Sequence, residues 1–317
     1  MSASSDSASP SRKPIVFIDG EAGTTGLGIR ERLDQLDLFT VLSIAPELRK
    51  SADERRRLMA EADVVILCLP DDAARESVAL AASLGSEAPR ILDASTAHRV
   101  SEGWAYGFAE LTAGQDAAIA TASHVANPGC YATGAIALLR PLVDKGLLPQ
   151  RHPVTINAVS GYSGGGKSMI EAYESGDAPA FELYALGLAH KHLPEIQTYG
   201  RLERRPVFVP SVGNFRQGML VSIPLFLDDL PGQPSAVDLH AAFAAHYGEG
   251  DVVTVAPFQP EANGKLDALA LNETNRLEIH VFANEEHRQV VLVARLDNLG
   301  KGASGAAVQN LRLMFDV

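Results

Sequence analysis

The sequence predicts an α/β fold in two parts: a doubly wound parallel sheet, and then an α+β region with a mixed or antiparallel sheet. Strand-like apolar runs alternate with helical runs up to about residue 150, which is typical of parallel strands covered by helices on both faces. Longer strands of alternating polarity then follow one another without crossover helices, which favours antiparallel pairing. A glycine-containing turn and an amphipathic helix close the chain, and such a helix can pack back on the first part.

The first part begins with a compact apolar run, "PIVFID", which Gly20 bounds. The helical run "LGIRERLDQL" follows, with Ile29, Leu33 and Leu36 at helical spacing. The alternation then continues in chain order through "FTVLSIA", "SADERRRLMAEA", "DVVILCLP", "DDAARESVALAASLG", "RILDAS" and "AAIATASHVA".

The second part is a series of strands, and "SAVDLHAAFAAHYG" is the clear helix among them. The strands are "HPVTINAVS", "RPVFVPSVGNF", "GMLVSIPLFL", "DVVTVAPF", "RLEIHVFAN" and "QVVLVARLD". The change of pattern after about residue 150 indicates a second domain.

Composition excludes several classes of protein. The chain has 317 residues, of which 46% are hydrophobic, as in an ordinary globular protein. Its formal net charge of −12 argues against a nucleic-acid partner, and no apolar run approaches the roughly 18–20 residues of a membrane span. Residues 1–13 are serine-rich and predict a disordered tail. Two cysteines are too few for a disulfide scaffold, so we expect a cytoplasmic protein.

A glycine-rich loop joins the first strand to the first helix, with Gly20, Gly23 and Gly26 spaced G-x-x-G-x-x-G. Glycines in this position allow a tight turn, and they let backbone N–H groups approach a pyrophosphate at the helix N-terminus. The spacing is a variant of the usual dinucleotide fingerprint. We therefore expect a Rossmann-like domain whose cofactor contacts include these glycines together with Thr24 and Thr25.

The end of the second strand distinguishes NADP from NAD. An acidic residue there binds the ribose 2′-hydroxyl of NAD, whereas cations suit the 2′-phosphate of NADP. The segment "LSIAPELRK" offers Ser43, Arg49 and Lys50. These residues favour NADP(H), although Glu47 keeps NAD possible.

A second glycine-rich loop fits the P-loop pattern G-x-x-x-x-G-K-[ST] from Gly161 to Ser168. A P-loop protein also needs an acidic residue after a later strand. Asp228 follows a suitable run, but Pro224 within that run is awkward for a central strand. Antiparallel strand patterns surround the motif, so a turn that brings backbone close to a ligand is the better interpretation. The third loop, "DNLGKGASGA", is either an anion-binding corner or a plain turn into the last helix.

The two cysteines differ in context. Cys68 lies within "VVILCLP", where a small buried hydrophobe is the simple interpretation. Cys130 follows "ANPG" and begins a helix with Ile136, Leu139 and Val143 in register. A helix N-terminus lowers a thiol pKa, and its N–H groups can hold a developing oxyanion. Cys130 is therefore the candidate nucleophile.

The segment "AHKHLPEI" supplies candidates for proton transfer. His190 and His192 share a face if the segment is extended, and Glu195 is placed to orient an imidazole. A zinc site is not predicted, because no third ligand has suitable spacing. A solvated polar loop is the alternative.

Five segments together resemble a known family: "FIDGEAGTTGLGIRERL", "ANPGCYATG", "SGYSGGGKS", "HKHLPEI" and "DNLGKGASGAAVQN". They resemble the short type of N-acetyl-gamma-glutamyl-phosphate reductase, an arginine-biosynthesis enzyme related to aspartate-semialdehyde dehydrogenase. The resemblance runs from residue 14 to residue 317 in order. It implies a Rossmann domain of residues 14–129 that residues 298–317 complete, and a catalytic and oligomerisation domain of residues 130–297. It also implies a homo-oligomer, either a dimer or a tetramer.

The resemblance also implies roles for particular residues. Cys130 would be the nucleophile and His192 the acid–base group. Gly164 and Asn298 would contact the cofactor, with Asn298 at the nicotinamide amide. Substrate contacts would come from six residues: Arg99, Ser160, Gly161, His190, Glu195 and Arg216. The longer type of this enzyme carries "PH" where this chain has "PSVGNF", which makes the contact at Arg216 less secure.

The activity implied is NADPH-dependent reduction of N-acetyl-gamma-glutamyl phosphate to N-acetyl-glutamate 5-semialdehyde through a cysteine thioester, with inorganic phosphate released. An aspartate-semialdehyde dehydrogenase has the same chemistry on another substrate. From other classes, a P-loop nucleotide-binding protein would bind Mg-ATP through Lys167, and a regulator with an inert thiol would bind NADPH without turnover.

Overall fold

The computed structural model describes residues 12–258 and 264–317, so residues 1–11 of the predicted tail lie outside the described part. A parallel sheet of six strands forms the first half, in the order β2-β1-β3-β4-β6-β5. Val64 to Leu67 in β3 are all fully buried, as expected for a strand covered on both faces. The strands are β1 (Ile15–Asp19), β2 (Thr40–Leu42), β3 (Val64–Leu67), β4 (Arg90–Asp93), β5 (Ala105–Tyr106) and β6 (His124–Ala126).

Helices cover both faces of this sheet and enclose two separate apolar clusters. Ser51 caps α2 by accepting a hydrogen bond from the Glu54 N–H at 3.3 Å. The segment "AAIATASHVA" contains a helix and then a strand, because Ile119 packs into the cluster from α4 before the chain enters β6. The helices are α1 (Thr24–Leu36), α2 (Ala52–Glu61), α3 (Asp71–Ala82) and α4 (Gln115–Thr121).

A mixed sheet of seven strands forms the second half, in the order β11-β12-β13-β10-β7-β9-β8. Most neighbours are antiparallel, while β7 pairs with β9 and β11 pairs with β12 in parallel. The strands are β7 (Thr155–Gly161), β8 (Phe181–Leu183), β9 (Val207–Gly213), β10 (Met219–Phe226), β11 (Val253–Val255), β12 (Leu277–Asn284) and β13 (Gln289–Leu296).

Two long helices, α5 and α8, pack on one face of the mixed sheet and build the largest apolar cluster. Proline is tolerated in the central strand β10 because β7 pairs only with Met219–Ser222, whereas Pro224 lies beyond that stretch and has only β13 beside it. The helices of this half are α5 (Cys130–Asp144), α6 (Lys167–Glu174), α7 (Leu193–Tyr199) and α8 (Ala236–Tyr247).

The chain ends in a π-helical turn, Gly300–Ser304, and then α9 (Gly305–Phe315). Helix α9 packs against α1 and α4, and it buries Ala307, Leu311 and Met314 in the first half of the molecule. The predicted α/β fold with a second, mixed sheet is therefore confirmed. Within the described residues, no helix is long and apolar enough to cross a membrane.

Candidate active site

A cavity of about 290 Å³ lies where the two halves meet, and Cys130 at the N-terminus of α5 lines it. Residues far apart in the chain share its wall: Arg99, His190, Lys191, His192, Gly164 and Asn298. The helix is capped by no side chain at Gly129, so its first N–H groups remain available near the thiol. The topology thus brings a cysteine, two histidines and two cations to one place.

The backbone beside Cys130 is tightly enclosed. A Cβ atom on Gly129 would collide with His192 Nε2 and would lie 2.7 Å from Glu195 Oε1. On the other side, a Cβ atom on Gly302 would lie 2.7 Å from the Cys130 Cβ. Glycine is required at both positions, because only a residue without a side chain lets these groups approach the nucleophile.

The thiol itself differs from the sequence prediction. Burial raises the pKa of Cys130 to about 11, although the Tyr131 N–H and the charge of Arg99 lower it. The helix N-terminus does lower this pKa through the Tyr131 N–H, but the predicted net lowering is wrong for the protein alone, because desolvation outweighs that hydrogen bond. A neutral thiol needs a base to take its proton before it can attack.

The two histidines are brought together by a turn rather than by an extended stretch. The His192 N–H donates to His190 Nδ1 at 3.1 Å, and the ring centroids are 4.7 Å apart. Burial and the neighbouring cations Lys191 and Arg99 lower the pKa of His190 to about 4. Since Nδ1 accepts a hydrogen bond, His190 carries its proton on Nε2.

His192 is the more deeply buried of the pair, at 5% exposure. Burial, with Arg99, His190 and Lys191 nearby, holds its pKa well below the ordinary value, so the ring is neutral. Within the described part of the chain, His192 Nδ1 is buried without a hydrogen-bond partner. A neutral imidazole beside the thiol can accept a proton.

Glu195 does not orient either imidazole, which corrects the sequence prediction. Its carboxylate accepts hydrogen bonds from Arg99 Nη1 at 2.7 Å, from the Tyr106 hydroxyl at 2.7 Å and from the Gly129 N–H at 3.1 Å. Glu195 is 2% exposed, so these partners compensate the burial of its charge. Glu195 therefore holds the loop before Cys130 rather than facing the cavity.

The other predicted substrate contacts are scattered. Arg99 lines the cavity, while Ser160 lies behind the wall, where its hydroxyl donates to the Gly161 carbonyl at 3.0 Å. Arg216 points to solvent and pairs with Glu174 at 3.0 Å. The structure brings Arg99 and His190 to Cys130 but leaves Ser160, Gly161 and Arg216 outside the cavity lining.

The loop that predicted a P-loop forms part of the same wall. It runs from the end of β7 through a short 3₁₀ turn into α6, within the mixed sheet. Asn298 Nδ2 donates to Ser163 Oγ at 3.0 Å, and this bond joins the loop to the C-terminal segment beside Gly164. The Lys167 side chain is 84% exposed and lies 3.9 Å from Glu171.

A second cavity, of about 320 Å³, adjoins the first, and both are lined by Thr24, Thr25, Arg99 and Lys191. Gly23 caps α1 without a side-chain hydrogen bond, so the N–H groups of the first turn remain available to an anion. Two other glycines of this turn are closely packed: Gly20 lies against the Cys68 backbone, and Gly26 lies against the Glu21 backbone. This arrangement fits the pyrophosphate of a dinucleotide.

The predicted 2′-phosphate residues lie beyond β2. Arg49 and Lys50 are exposed, whereas Ser43 Oγ accepts a hydrogen bond from Arg30 Nη1 at 2.7 Å. Sequence analysis did not single out Arg30 as a cation beside Ser43; Arg30 also contacts Glu21 at 3.1 Å. Sequence analysis also missed Lys191 as a cation in the cavity, although its place between the two histidines was a usable signal.

The histidine pair predicts a pH-dependent stability. The folded-state pKa of His190, about 4, lies below the ordinary value of about 6.5 in an unfolded chain. As the pH falls below 6.5, the unfolded chain binds a proton that the folded protein excludes, so the free energy of unfolding decreases towards pH 4. Urea denaturation should show a smaller loss for His190→Gln than for wild type over this interval. Equal losses would contradict the assignment.

Comparisons with known proteins agree with the two-part fold. A family model described as semialdehyde dehydrogenase, dimerisation domain, matches residues 130–298. Among solved structures, aspartate semialdehyde dehydrogenase II of Vibrio cholerae, complexed with ASA, has a TM-score of 0.71 at 14% identity and covers 96% of this chain and 99% of its own. The Candida albicans aspartate semialdehyde dehydrogenase with NADP has a TM-score of 0.63 at 13% identity, with 96% and 100% coverage. These structures share the fold.

Curated relatives are much more similar in sequence. The N-acetyl-gamma-glutamyl-phosphate reductase of Brucella suis is 54% identical over 309 residues, which cover 96% of this chain and 99% of the relative. The enzyme of that name from Chelativorans sp. is 56% identical over 305 residues, with 95% and 97% coverage. The chain belongs to the N-acetyl-gamma-glutamyl-phosphate reductase family.

Proposed function

We propose that this protein reduces N-acetyl-gamma-glutamyl phosphate to N-acetyl-glutamate 5-semialdehyde, with NADPH as reductant and Cys130 as nucleophile. The observation that carries the proposal is the meeting of Cys130, the neutral His192 and Arg99 in one cavity that adjoins the glycine-loop cavity. The names of relatives at 54–56% identity support the substrate. The product would serve arginine biosynthesis.

Electrostatics support an anionic substrate. Arg99 and Lys191 line the cavity of a protein whose overall charge is −12, so the local positive charge differs in sign from the whole. A guanidinium binds a phosphate or carboxylate through paired hydrogen bonds. Arg99 donates hydrogen bonds to Glu195 and to the carbonyls of Asn127 and Ala94, which fix the guanidinium at the cavity wall. Lys191 adds a second cation from the turn between the histidines. We assign the acyl phosphate's anionic groups to these two residues.

The residues fit the cofactor in two places. The free N–H groups at the start of α1, with Gly23, Thr24 and Thr25, would hold the pyrophosphate. Gly164 and Asn298 line the cavity beside Cys130, where the nicotinamide would lie. Ser43 and the nearby cations Arg30, Arg49 and Lys50 favour NADP over NAD. When bound, NADPH supplies the hydride.

The chain's own residues carry the proton and acyl transfers. His192 takes the thiol proton of Cys130 as the sulfur attacks the acyl carbon. The carbon–oxygen bond to phosphate breaks, and the released phosphate takes a proton from water. The His192 imidazolium would protonate the oxygen of the resulting thioester when its carbon is reduced by the bound cofactor. The thiohemiacetal then collapses: the carbon–sulfur bond breaks, the hydroxyl proton returns through His192, and thiol and semialdehyde are restored. The first N–H groups of α5 would stabilise the oxyanion.

We further propose that residues 14–129 and 298–317 bind the cofactor, while residues 130–297 supply the nucleophile and the contacts between subunits. The face of the mixed sheet opposite α5 and α8 supports a dimer or tetramer, because it exposes apolar side chains: Phe181 at 56%, Phe226 at 57% and Val207 at 45%. The matching family model is described as a dimerisation domain. A cytoplasmic location fits the two free cysteines.

The decisive experiment runs the reaction backwards and follows NADPH absorbance. N-acetyl-glutamate semialdehyde and NADP should give NADPH only when inorganic phosphate is present, because phosphate must resolve the thioester. Reduction without phosphate would mean that water does so instead. Activity only with aspartate semialdehyde would keep the chemistry and change the substrate, and tight Mg-ATP binding that depends on Lys167 would favour the P-loop alternative.

A further inference from the structure

Lys301 takes no part in the proposed reaction, yet its side chain is only 1% exposed. Burying an ammonium group is unfavourable unless it is paired and hydrogen-bonded. Its Nζ donates to Glu110 Oε2 at 2.6 Å and to Gln309 Oε1 at 2.7 Å, and it lies 5.2 Å from the centre of the Phe108 ring. Two segments therefore hold the charge: the loop after β5 and helix α9.

The backbone that carries Lys301 is unusual. Gly300–Ser304 is a π-helical turn, a rare conformation that occurs frequently at functional sites. Both flanking glycines lie in close contact: a Cβ atom on Gly300 would collide with the Thr274 carbonyl, and one on Gly302 would meet the Cys130 Cβ. The turn is wedged between Thr274 and the nucleophile.

Further hydrogen bonds tie the same turn to the active-site loop. Asn127, which lies three residues before Cys130 in the sequence, donates from its Nδ2 to the Ala303 carbonyl at 3.0 Å. Gln309 Nε2 donates to Glu110 Oε1 at 2.7 Å, so Lys301, Gln309 and Glu110 form a closed triangle of hydrogen bonds. Leu299, Gly302 and Ala303 line the cavity itself.

We propose that Lys301 is a positioning residue: its buried ion pair with Glu110 anchors the π-helical turn, so that Gly302 stays against Cys130 and closes the wall around the thiol. The inference rests on the proposed nucleophilic role of Cys130 and goes beyond it. It gives a structural role to the buried Lys301 ammonium group, which is not one of the reacting groups.

The test compares turnover with thiol reactivity in a Cys68→Ala background, in which Cys130 is the remaining cysteine that alkylation can modify. Lys301→Met removes the ammonium and keeps most of the aliphatic chain. Turnover should fall about ten- to hundredfold, because small displacements of reacting groups have effects of that size. Alkylation of Cys130 by iodoacetamide at neutral pH should become about tenfold faster, because water reaches a thiol whose pKa burial had raised. Slower turnover together with faster alkylation distinguishes a positioning role from a general loss of stability.

Two variants complete the design. Met59→Ala, a core truncation in α2 on the far side of the first sheet, should lower the melting temperature without speeding alkylation. The double variant Lys301→Met/Glu110→Gln leaves no unpaired buried charge, and under the proposal it keeps low turnover and fast alkylation. Wild-type rates in the double variant would mean that Lys301 only neutralises Glu110, and the proposal would be wrong.

The outcomes also separate this inference from the proposed function. Wild-type alkylation in Lys301→Met would overturn the anchoring alone. A wild-type protein without reductase activity would overturn the proposed reaction, while the alkylation comparison would still be readable. If Lys301→Met gives no folded protein, Glu110→Gln carries the same test, because it removes the charge that pairs with the ammonium.

Discussion

Replacing Cys130 with serine should lower turnover by at least about 10³-fold and leave NADPH binding close to wild type. A serine hydroxyl at this helix N-terminus is a far weaker nucleophile than a thiolate, and it holds its proton more tightly than a thiol does. The proposed pyrophosphate contacts lie at the start of α1, in the adjoining cavity, whose lining does not include Cys130. Steady-state kinetics and NADPH fluorescence titration measure the two effects separately.

The matched control is the other cysteine. Cys68 is partly buried at the end of β3, outside the lining of the Cys130 cavity, and desolvation raises its pKa to about 12, so Cys68→Ala should keep most of the turnover. Mass spectrometry of the wild type with the acyl phosphate, in the absence of NADPH, should detect an acyl group on Cys130. An active Cys130→Ser variant, or an acyl group on Cys68, would show that the nucleophile has been misassigned.

Replacing His192 with asparagine should cost about 10²–10⁴-fold in kcat, the usual contribution of a positioned acid–base group. The effect should be large because burial keeps the Cys130 thiol protonated at neutral pH, with a pKa of about 11, so attack depends on a base. Asparagine keeps a similar volume but accepts no proton. His287→Asn, an exposed substitution, is the control and should leave kcat unchanged.

The pH profile gives an independent check on His192. A base must be neutral to act, and burial with nearby cations holds the His192 pKa well below the ordinary value of about 6.5. The acid limb of kcat/KM should therefore lie at a lower pH than an unperturbed histidine would give. An acid limb near 6.5, or full activity in His192→Asn, would move the acid–base role to another residue.

Local sequence patterns were sufficient for the elements and for most of the chemistry-bearing residues. The run "VVIL" is β3, "DDAARESVALAA" is α3, and the helix after "ANPG" begins at Cys130 itself. These predictions succeed because hydrophobic periodicity, caps and glycine turns are properties of neighbouring residues. Arg99, His190 and His192, which the sequence and its family resemblance singled out, line the cavity with Cys130.

The failures share one cause. The direction of the Cys130 pKa shift depends on how much water the surrounding segments exclude, and the hydrogen-bond partners of Glu195 come from loops distant in sequence. The same holds for Arg216, which pairs with Glu174 at the surface. A pattern of neighbouring residues does not show how much water distant segments exclude or which distant residues become hydrogen-bond partners.

The sequence by itself determined the α/β class, the two glycine-rich turns that border the cavities, and the cysteine at a helix N-terminus. Only the tertiary structure decided that the thiol is protonated, that Glu195 holds the loop at Gly129, and that Lys301 is buried beside Glu110. The physical reason is that desolvation and charge pairing are set by which distant segments pack together. Composition and periodicity specify which segments can pack, but the packed interior fixes the energy of each charge.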